Sequence, residues 1–171
     1  SEETEVFATV EPLESYVSAL PFILAHTGVR HDSGGVHRPI RERWLEGETQ
    51  VVEAYERITE IARAGKKALL LKDWKTLGSL MNENHALQRD LGGSGEANER
   101  LIAAAVAVGA PGAKLAGGGG GGTIIALWPG EDTTPLESAL RAAGATETYR
   151  LEVAPGATLI ERGAREGTAD T

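Results

Sequence analysis

The sequence predicts an α+β domain built around an antiparallel sheet, and three observations carry that expectation. Four short apolar or β-branched runs punctuate the chain, at Phe22–Ala25, Lys114–Ala116, Thr123–Trp128 and Thr146–Val153. Between the first and second runs, apolar residues recur at three- and four-residue steps, the helical period. The second and third runs are separated only by six consecutive glycines, Gly117 to Gly122, which suits a hairpin and not a crossover. The resulting order is strand, helices, strand, strand, helix, strand. That is the split β-α-β, ferredoxin-like arrangement with extra helices in the first crossover. An antiparallel sheet with helices on one face is the expected architecture.

Taken in order, Val6 to Val10 reads as a short opening strand, after which Pro12 and Pro21 punctuate the chain. Phe22–Ala25 is apolar throughout, as in a strand covered on both faces. It runs into His26-Thr27-Gly28-Val29-Arg30-His31-Asp32-Ser33-Gly34-Gly35, a loop dense in turn-forming residues. Such a loop either binds a ligand or makes solvated turns. From Pro39 to Leu71 the pattern is helical, with Val51, Val52, Tyr55, Ile58, Ile61 and Ala62 on one face. Gly65 is a point where that helix would soften or end.

Asp73 is the expected N-cap of the next helix, whose Leu77, Leu80, Leu87 and Leu91 form an apolar stripe closed by Gly92 and Gly93. Asn84 falls near the middle of the stripe, Gln88 beside it and His85 on its edge. Burying a polar side chain unpaired costs about 1–3 kcal/mol. These three therefore either look into a pocket or make satisfied internal hydrogen bonds. Ser94 with Glu96 starts a third helix, through Leu101 and Ile102 to Val108, closed by Gly109. Beyond the glycines, Pro129 to Asp132 is a turn, Thr133 or Thr134 with Pro135 starts a helix from Leu136 to Ala143, and Gly144 ends it. Residues 1–20 read as a lead-in, 21–155 as the folded domain and 156–171 as a flexible tail.

A chain of 171 residues suits one domain. Its net charge of −8 argues against a nucleic-acid footprint and against an anionic membrane surface. Any phosphate site must then be local, built from backbone and one or two cations. The absence of cysteine excludes a disulfide framework, a thiolate metal site and thiol catalysis. No run approaches the roughly 20 apolar residues of a membrane span, and Ser1 to Glu5 has no basic leader region. A cytoplasmic protein is expected. The chain begins with Ser1 and not Met, and reads as processed or as a piece of something longer. There is no G-x-x-x-x-G-K-[ST] phosphate loop, no H-E-x-x-H, and the four histidines are not spaced as metal ligands.

The glycines carry the chemistry. Glycine tolerates positive φ and lets backbone N–H groups approach a ligand directly. Successive N–H groups turned into one concavity form a nest for an anion such as phosphate. A flexible linker is the other reading of such a run. The tight flanks, Lys114-Leu115-Ala116 and Thr123-Ile124-Ile125, favour an ordered turn.

Asn82-Glu83-Asn84-His85-Ala86-Leu87, then Leu91-Gly92-Gly93-Ser94, then Leu101, and finally Gly112-Ala113-Lys114-Leu115-Ala116-Gly117 through Thr123 form an ordered motif set. It resembles the carboxyl half of the GHMP small-molecule kinases. Microbial mevalonate kinases are the nearest pattern, with the galactokinase and sugar-kinase branch beside them. The resemblance spans roughly residues 20 to 155. It implies transfer of the γ-phosphoryl group of ATP, with Mg²⁺, to a hydroxyl of a small metabolite, mevalonate first and a sugar second.

Carried over residue by residue, the resemblance assigns Lys114, Gly117, Gly118, Gly119, Gly120, Gly121 and Gly122 to a loop beside the nucleotide phosphates. The resemblance also implies one wall of an acceptor pocket, for which Asn84, His85 and Gln88 on the helix and Thr27 in the loop after the first strand are the candidates. Ala116 stands where Ser or Thr is common, and Gly118 where Ala is usual. The family's Pro-x-x-x-Gly-Leu-(Gly/Ala)-Ser-Ser motif and its acidic base lie in an amino-terminal half, and nothing like either precedes residue 20. The resemblance thus implies a C-terminal domain with no catalytic residue or metal ligand of its own, inactive alone. Its partner would be an amino-terminal kinase domain, in cis or as a separate chain, with homodimerisation as a further option. The residues by themselves also allow a non-catalytic ferredoxin-like module for ligand binding or dimerisation.

Overall fold

Residues 16–17, 20–29, 33–117 and 119–153 are described by a computed structural model. The strand expected at Val6 to Val10, most of the lead-in and the tail from residue 156 lie outside them. The elements follow the expected order: β1 (Phe22–His26), α1 (Ser33–Leu45), α2 (Thr49–Leu70), α3 (Trp74–Asp90), α4 (Glu96–Ala107), β2 (Gly112–Ala116), β3 (Thr123–Leu127), α5 (Thr134–Ala142) and β4 (Glu147–Arg150). The strands line up as β2-β3-β1-β4 with every neighbouring pair antiparallel. This is the ferredoxin-like sheet, with four helices in its first crossover.

The helical stretch expected from Pro39 to Leu71 is two helices, not one. Gly47, at φ +73°, takes the left-handed conformation that ends α1 and frees the chain to restart at Thr49. Arg43 fixes the corner by donating two hydrogen bonds of 2.7 Å to the Glu48 carboxylate. The loop expected as far as Gly35 is shorter, because α1 already begins at Ser33 and carries Pro39 inside it. Gly65 does not end α2, which continues to Leu70. Asp73 caps α3 as expected, its side chain accepting from the Thr76 N–H at 3.1 Å. The next helix is capped by Gly95 and not by Ser94, whose hydroxyl is engaged elsewhere. The final strand is shorter than expected and stops at Arg150.

Strand alternation sorts the core. Ile23, Ala25, Ala113, Ile124 and Ala126 pack against Leu101, Ile102 and Ala105 of α4 and Leu136 and Leu140 of α5. The alternate residues Phe22, Ile125 and Leu127 form a second cluster with Ala68, Leu77 and Met81. The helices are therefore not confined to one face: α4 and α5 cover one side, and the α2–α3 pair covers part of the other.

Helix α3 also closes the edge of the sheet. In the β2–β3 register, Ala113 and Leu115 turn their N–H groups outward, where an unpaired edge would invite association. Asn82 Oδ1 accepts the Ala113 N–H at 3.0 Å, and His85 Nδ1 lies 3.5 Å from the Leu115 nitrogen. Asn82 Nδ2 donates in turn to the Pro111 carbonyl at 3.2 Å. This approach needs bare backbone where the two elements cross. A Cβ on Gly78 would stand 2.4 Å from the Pro111 oxygen, and one on Gly112 would stand 2.3 Å from the Gly78 oxygen.

Two helical glycines should respond oppositely to alanine. Gly78→Ala forces backbone apart at the crossing and should cost about 1–3 kcal/mol. Gly65→Ala meets only the Leu77 Cδ1 atom at 3.8 Å and should gain about 0.5–1 kcal/mol from helix propensity. Urea denaturation of the two variants checks the signs.

Candidate functional site

The turn between β2 and β3 is gripped by backbone on both sides. On one side lies the connection between α3 and α4. The Gly120 N–H donates to the Gly93 carbonyl at 3.0 Å, and a Cβ on Gly119 would fall 1.6 Å from that same oxygen. A Cβ on Gly95 would meet the Gly120 oxygen at 2.8 Å. On the other side lies the segment leaving β1. The Gly122 N–H donates to the Val29 carbonyl at 3.2 Å, and the Thr27 N–H donates to the Gly122 carbonyl at 2.7 Å. Fully buried Asn98, in the first turn of α4, donates from Nδ2 to the Gly121 carbonyl at 3.2 Å.

Gly117, Gly119, Gly120, Gly121 and Gly122 all have positive φ, from 73° to 152°, a conformation that side chains oppose. Gly118 lies outside the described residues. The described glycines form a bend held by backbone on both sides, not a linker. The N–H groups of Gly120 and Gly122 hold it in place. Those of Gly119 and Gly121, which alternate with them, meet no acceptor among the described residues. Free backbone donors in a fixed bend are what an anion nest is made of.

His85, a sequence candidate for the acceptor pocket, is buried and partnered on both ring nitrogens. With Nδ1 facing the Leu115 N–H, the ring proton belongs on Nε2, which donates to Glu99 Oε1 at 2.9 Å. The Ser94 hydroxyl donates to that same carboxylate oxygen. Burial holds the His85 pKa below its ordinary 6.5 against the pull of Glu99, so the ring is neutral near pH 7. A chain of contacts thereby runs from the edge strand through α3 and α4 to the turn that grips the glycines.

The remaining sequence candidates occupy two neighbouring places. Thr27 is buried and braces the loop, its Oγ1 accepting the Val29 N–H at 3.2 Å. Gln88 Nε2 donates to Asn84 Oδ1 at 3.0 Å. Gln88 lines a cavity of about 160 Å³ that also reaches Gly93 and Gly117. Asn84 lines another, of about 210 Å³, with Lys114. Lys114 is thus on the sheet face toward α2 and α3, where burial lowers its pKa from the ordinary 10.5. A larger cavity of about 530 Å³ lies at the far end of the sheet, near Pro21, Trp128 and Leu151, away from the glycines.

Sequence reasoning missed Asn98, Asn82 and the close fit of Gly93 and Gly95. Asn98 had a signal of the same kind as Asn84, since it falls in one apolar stripe with Leu101, Ile102 and Ala105.

Loop geometry makes a graded prediction. Gly117→Ala places a Cβ in open space at φ +81° and should cost about 1–2 kcal/mol for the left-handed backbone alone. Gly119→Ala adds a collision with the Gly93 oxygen and should cost clearly more. Equal losses in chemical denaturation would contradict the close fit.

Comparison with known proteins places this architecture. The family described as GHMP kinases C terminal matches residues 65–146. A probable glucuronokinase of Arabidopsis thaliana is 36% identical over 93 residues, which cover 53% of this chain and 25% of that protein. A mevalonate kinase of Pyrococcus horikoshii is 33% identical over 153 residues, 86% of this chain and 42% of that protein. The crystal structure of L. major mevalonate kinase in complex with R-mevalonate superposes with a TM-score of 0.72 at 28% identity, covering 82% of this chain and 45% of that one. The chain spans less than half the length of these relatives. Its fold, its glycine bend and its matched segment together identify it: the chain carries the C-terminal domain of the GHMP kinases.

Proposed function

We propose that this chain is the C-terminal portion of an ATP-dependent kinase that phosphorylates a hydroxyl of a small hydroxy acid. The observation that carries the proposal is the alternation in the glycine bend. The Gly120 and Gly122 N–H groups pin it, and those of Gly119 and Gly121, which alternate with them, meet no acceptor among the described residues. In phosphoryl transfer, charge is spread over the oxygens of the transferred group, and catalysis is mostly positioning and charge stabilisation. Donors that are already fixed need no reorganisation when that charge develops. The Gly119 and Gly121 amides are suited to that task, with Asn98, Thr27 and the Gly93 carbonyl holding them in place.

The acceptor class follows from the names of two relatives. Glucuronate is a sugar acid and mevalonate a branched hydroxy acid, so both offer a hydroxyl and a carboxylate. Gln88 and Asn84, hydrogen-bonded to each other between two cavities, are the side chains we assign to the acceptor wall. His85 acts through Glu99 and Ser94 as a positioning residue. Among the described residues no three His, Asp or Glu side chains cluster as metal ligands. We assign the catalytic base and the rest of the nucleotide site to an amino-terminal kinase half, in cis or as a separate chain. No described helix is long and apolar enough to cross a membrane, which accords with a metabolic enzyme acting on a water-soluble substrate.

The test is complementation. The chain alone should transfer no phosphoryl group from ATP to mevalonate or D-glucuronate, and joining or adding its amino-terminal kinase half should restore transfer. Robust turnover by the chain alone would contradict the proposed division of labour. A folded, ATP-binding amino half that stays inactive when the chain is added would favour a non-catalytic module.

A further inference from the structure

We propose that the groove between α1 and α2 is the docking surface for the amino-terminal kinase half, an inference that rests on the two-part kinase already proposed. Helix α1 sets His37, Arg41 and Trp44 four and three residues apart, on one face. With Tyr55 of α2 they line a largely apolar cavity of about 420 Å³. The groove is nevertheless open to water. Trp44 is 49% exposed, its neighbour Leu45 58% and Tyr55 40%.

A helix face meant for solvent is polar. Contiguous exposed apolar patches mark interaction sites on soluble proteins. Trp, Tyr and Arg are also the side chains enriched at the energetic centres of protein interfaces. Arg41 is exposed and makes no ion pair or hydrogen bond among the described residues, so its charge is available to a partner.

Continuity with the glycine bend identifies that partner. His37 and Tyr55 also line the cavity of about 160 Å³ that reaches Gly93 and Gly117. One groove therefore runs from the bend to Trp44. Helix α1 starts four residues after Val29, whose carbonyl pins the bend, and carries the groove about 16 Å from Ser33 to Trp44. A body that brings a nucleotide and a base to the bend lies at one end of this groove, and the apolar surface continues from there. More than half the length of each compared relative lies outside its match to this chain. The lining then specifies the docking element: an apolar side chain to fill the groove, with a carboxylate beside it for Arg41.

The chain has no cysteine, so Leu45→Cys provides a single attachment point for an environment-sensitive fluorophore. Val106→Cys, on the exposed side of α4, provides the control. Adding the amino-terminal kinase half should shift the Leu45 label to the blue with saturation and leave the Val106 label unchanged. In calorimetry, Trp44→Glu should weaken association at least about tenfold, Arg41→Glu should weaken it most at low salt, and Val106→Glu should leave it unchanged. The proposal is overturned by a silent Leu45 label or by native affinity in Trp44→Glu. A label shift that follows the concentration of this chain alone gives the groove to a second copy and also overturns it. The label requires no change at Trp44, so it decides by itself if Trp44→Glu does not fold. Docking and turnover fail separately. Halves that associate through the groove without transferring phosphate contradict the kinase reading alone, whereas transfer restored at native affinity by Trp44→Glu contradicts the docking surface alone.

Discussion

Where Gly119 and Gly120 pass Gly93, two stretches of bare backbone come closer than any side chain would permit. The Gly120 N–H bonds the Gly93 carbonyl there, and the rest of the site is arranged around that contact. Ordering a run of glycines is entropically expensive, because glycine has the most conformational freedom to lose. Isolated in solvent, such a run would be mobile. It is held here because the α3–α4 connection, the segment after β1 and the Asn98 side chain each satisfy a different backbone group of the same bend. Geometry that needs glycine on both partners also explains why the α3–α4 connection is itself glycine-rich.

Helix α3 links this site to the fold. One of its faces packs Leu77 and Met81 against the second side of the sheet. Another presents Asn82 and His85 to the outward N–H groups of β2. A third carries Asn84 and Gln88 into the cavities. The Gly78–Gly112 crossing sets how closely the helix can lie. Burial keeps His85 neutral, so its ring can accept on one side and donate on the other. A protonated ring would lose its acceptor toward Leu115. The edge of the sheet and the turn that grips the glycines thus depend on the same tautomer.

Much of this was legible in the sequence. The strand order, the Asp73 cap and the terminating glycines at positions 92, 109 and 144 follow from local chemistry that tertiary packing did not override. The helix breaks were harder. Gly47 ends a helix while Gly65 does not, and spacing alone cannot separate a glycine with positive φ from one within a regular turn. Polar residues on apolar stripes point to Asn84 and, by the same rule, to Asn98. Their partners could not be read, since His85 meets Glu99 on the next helix and Leu115 on a strand thirty positions away. The mutual approach of Gly93 and Gly119 is a relation between two loops, and neither shows it by itself.

Amide hydrogen exchange at the glycine bend tests the account most directly, because it reports each N–H separately. The Gly120 and Gly122 amides, bonded to Gly93 and Val29, should be protected well above free-peptide rates, and those of Gly119 and Gly121 should exchange faster. Uniform free-peptide exchange across all four would show a loose loop and remove the physical basis for a preorganised phosphate site.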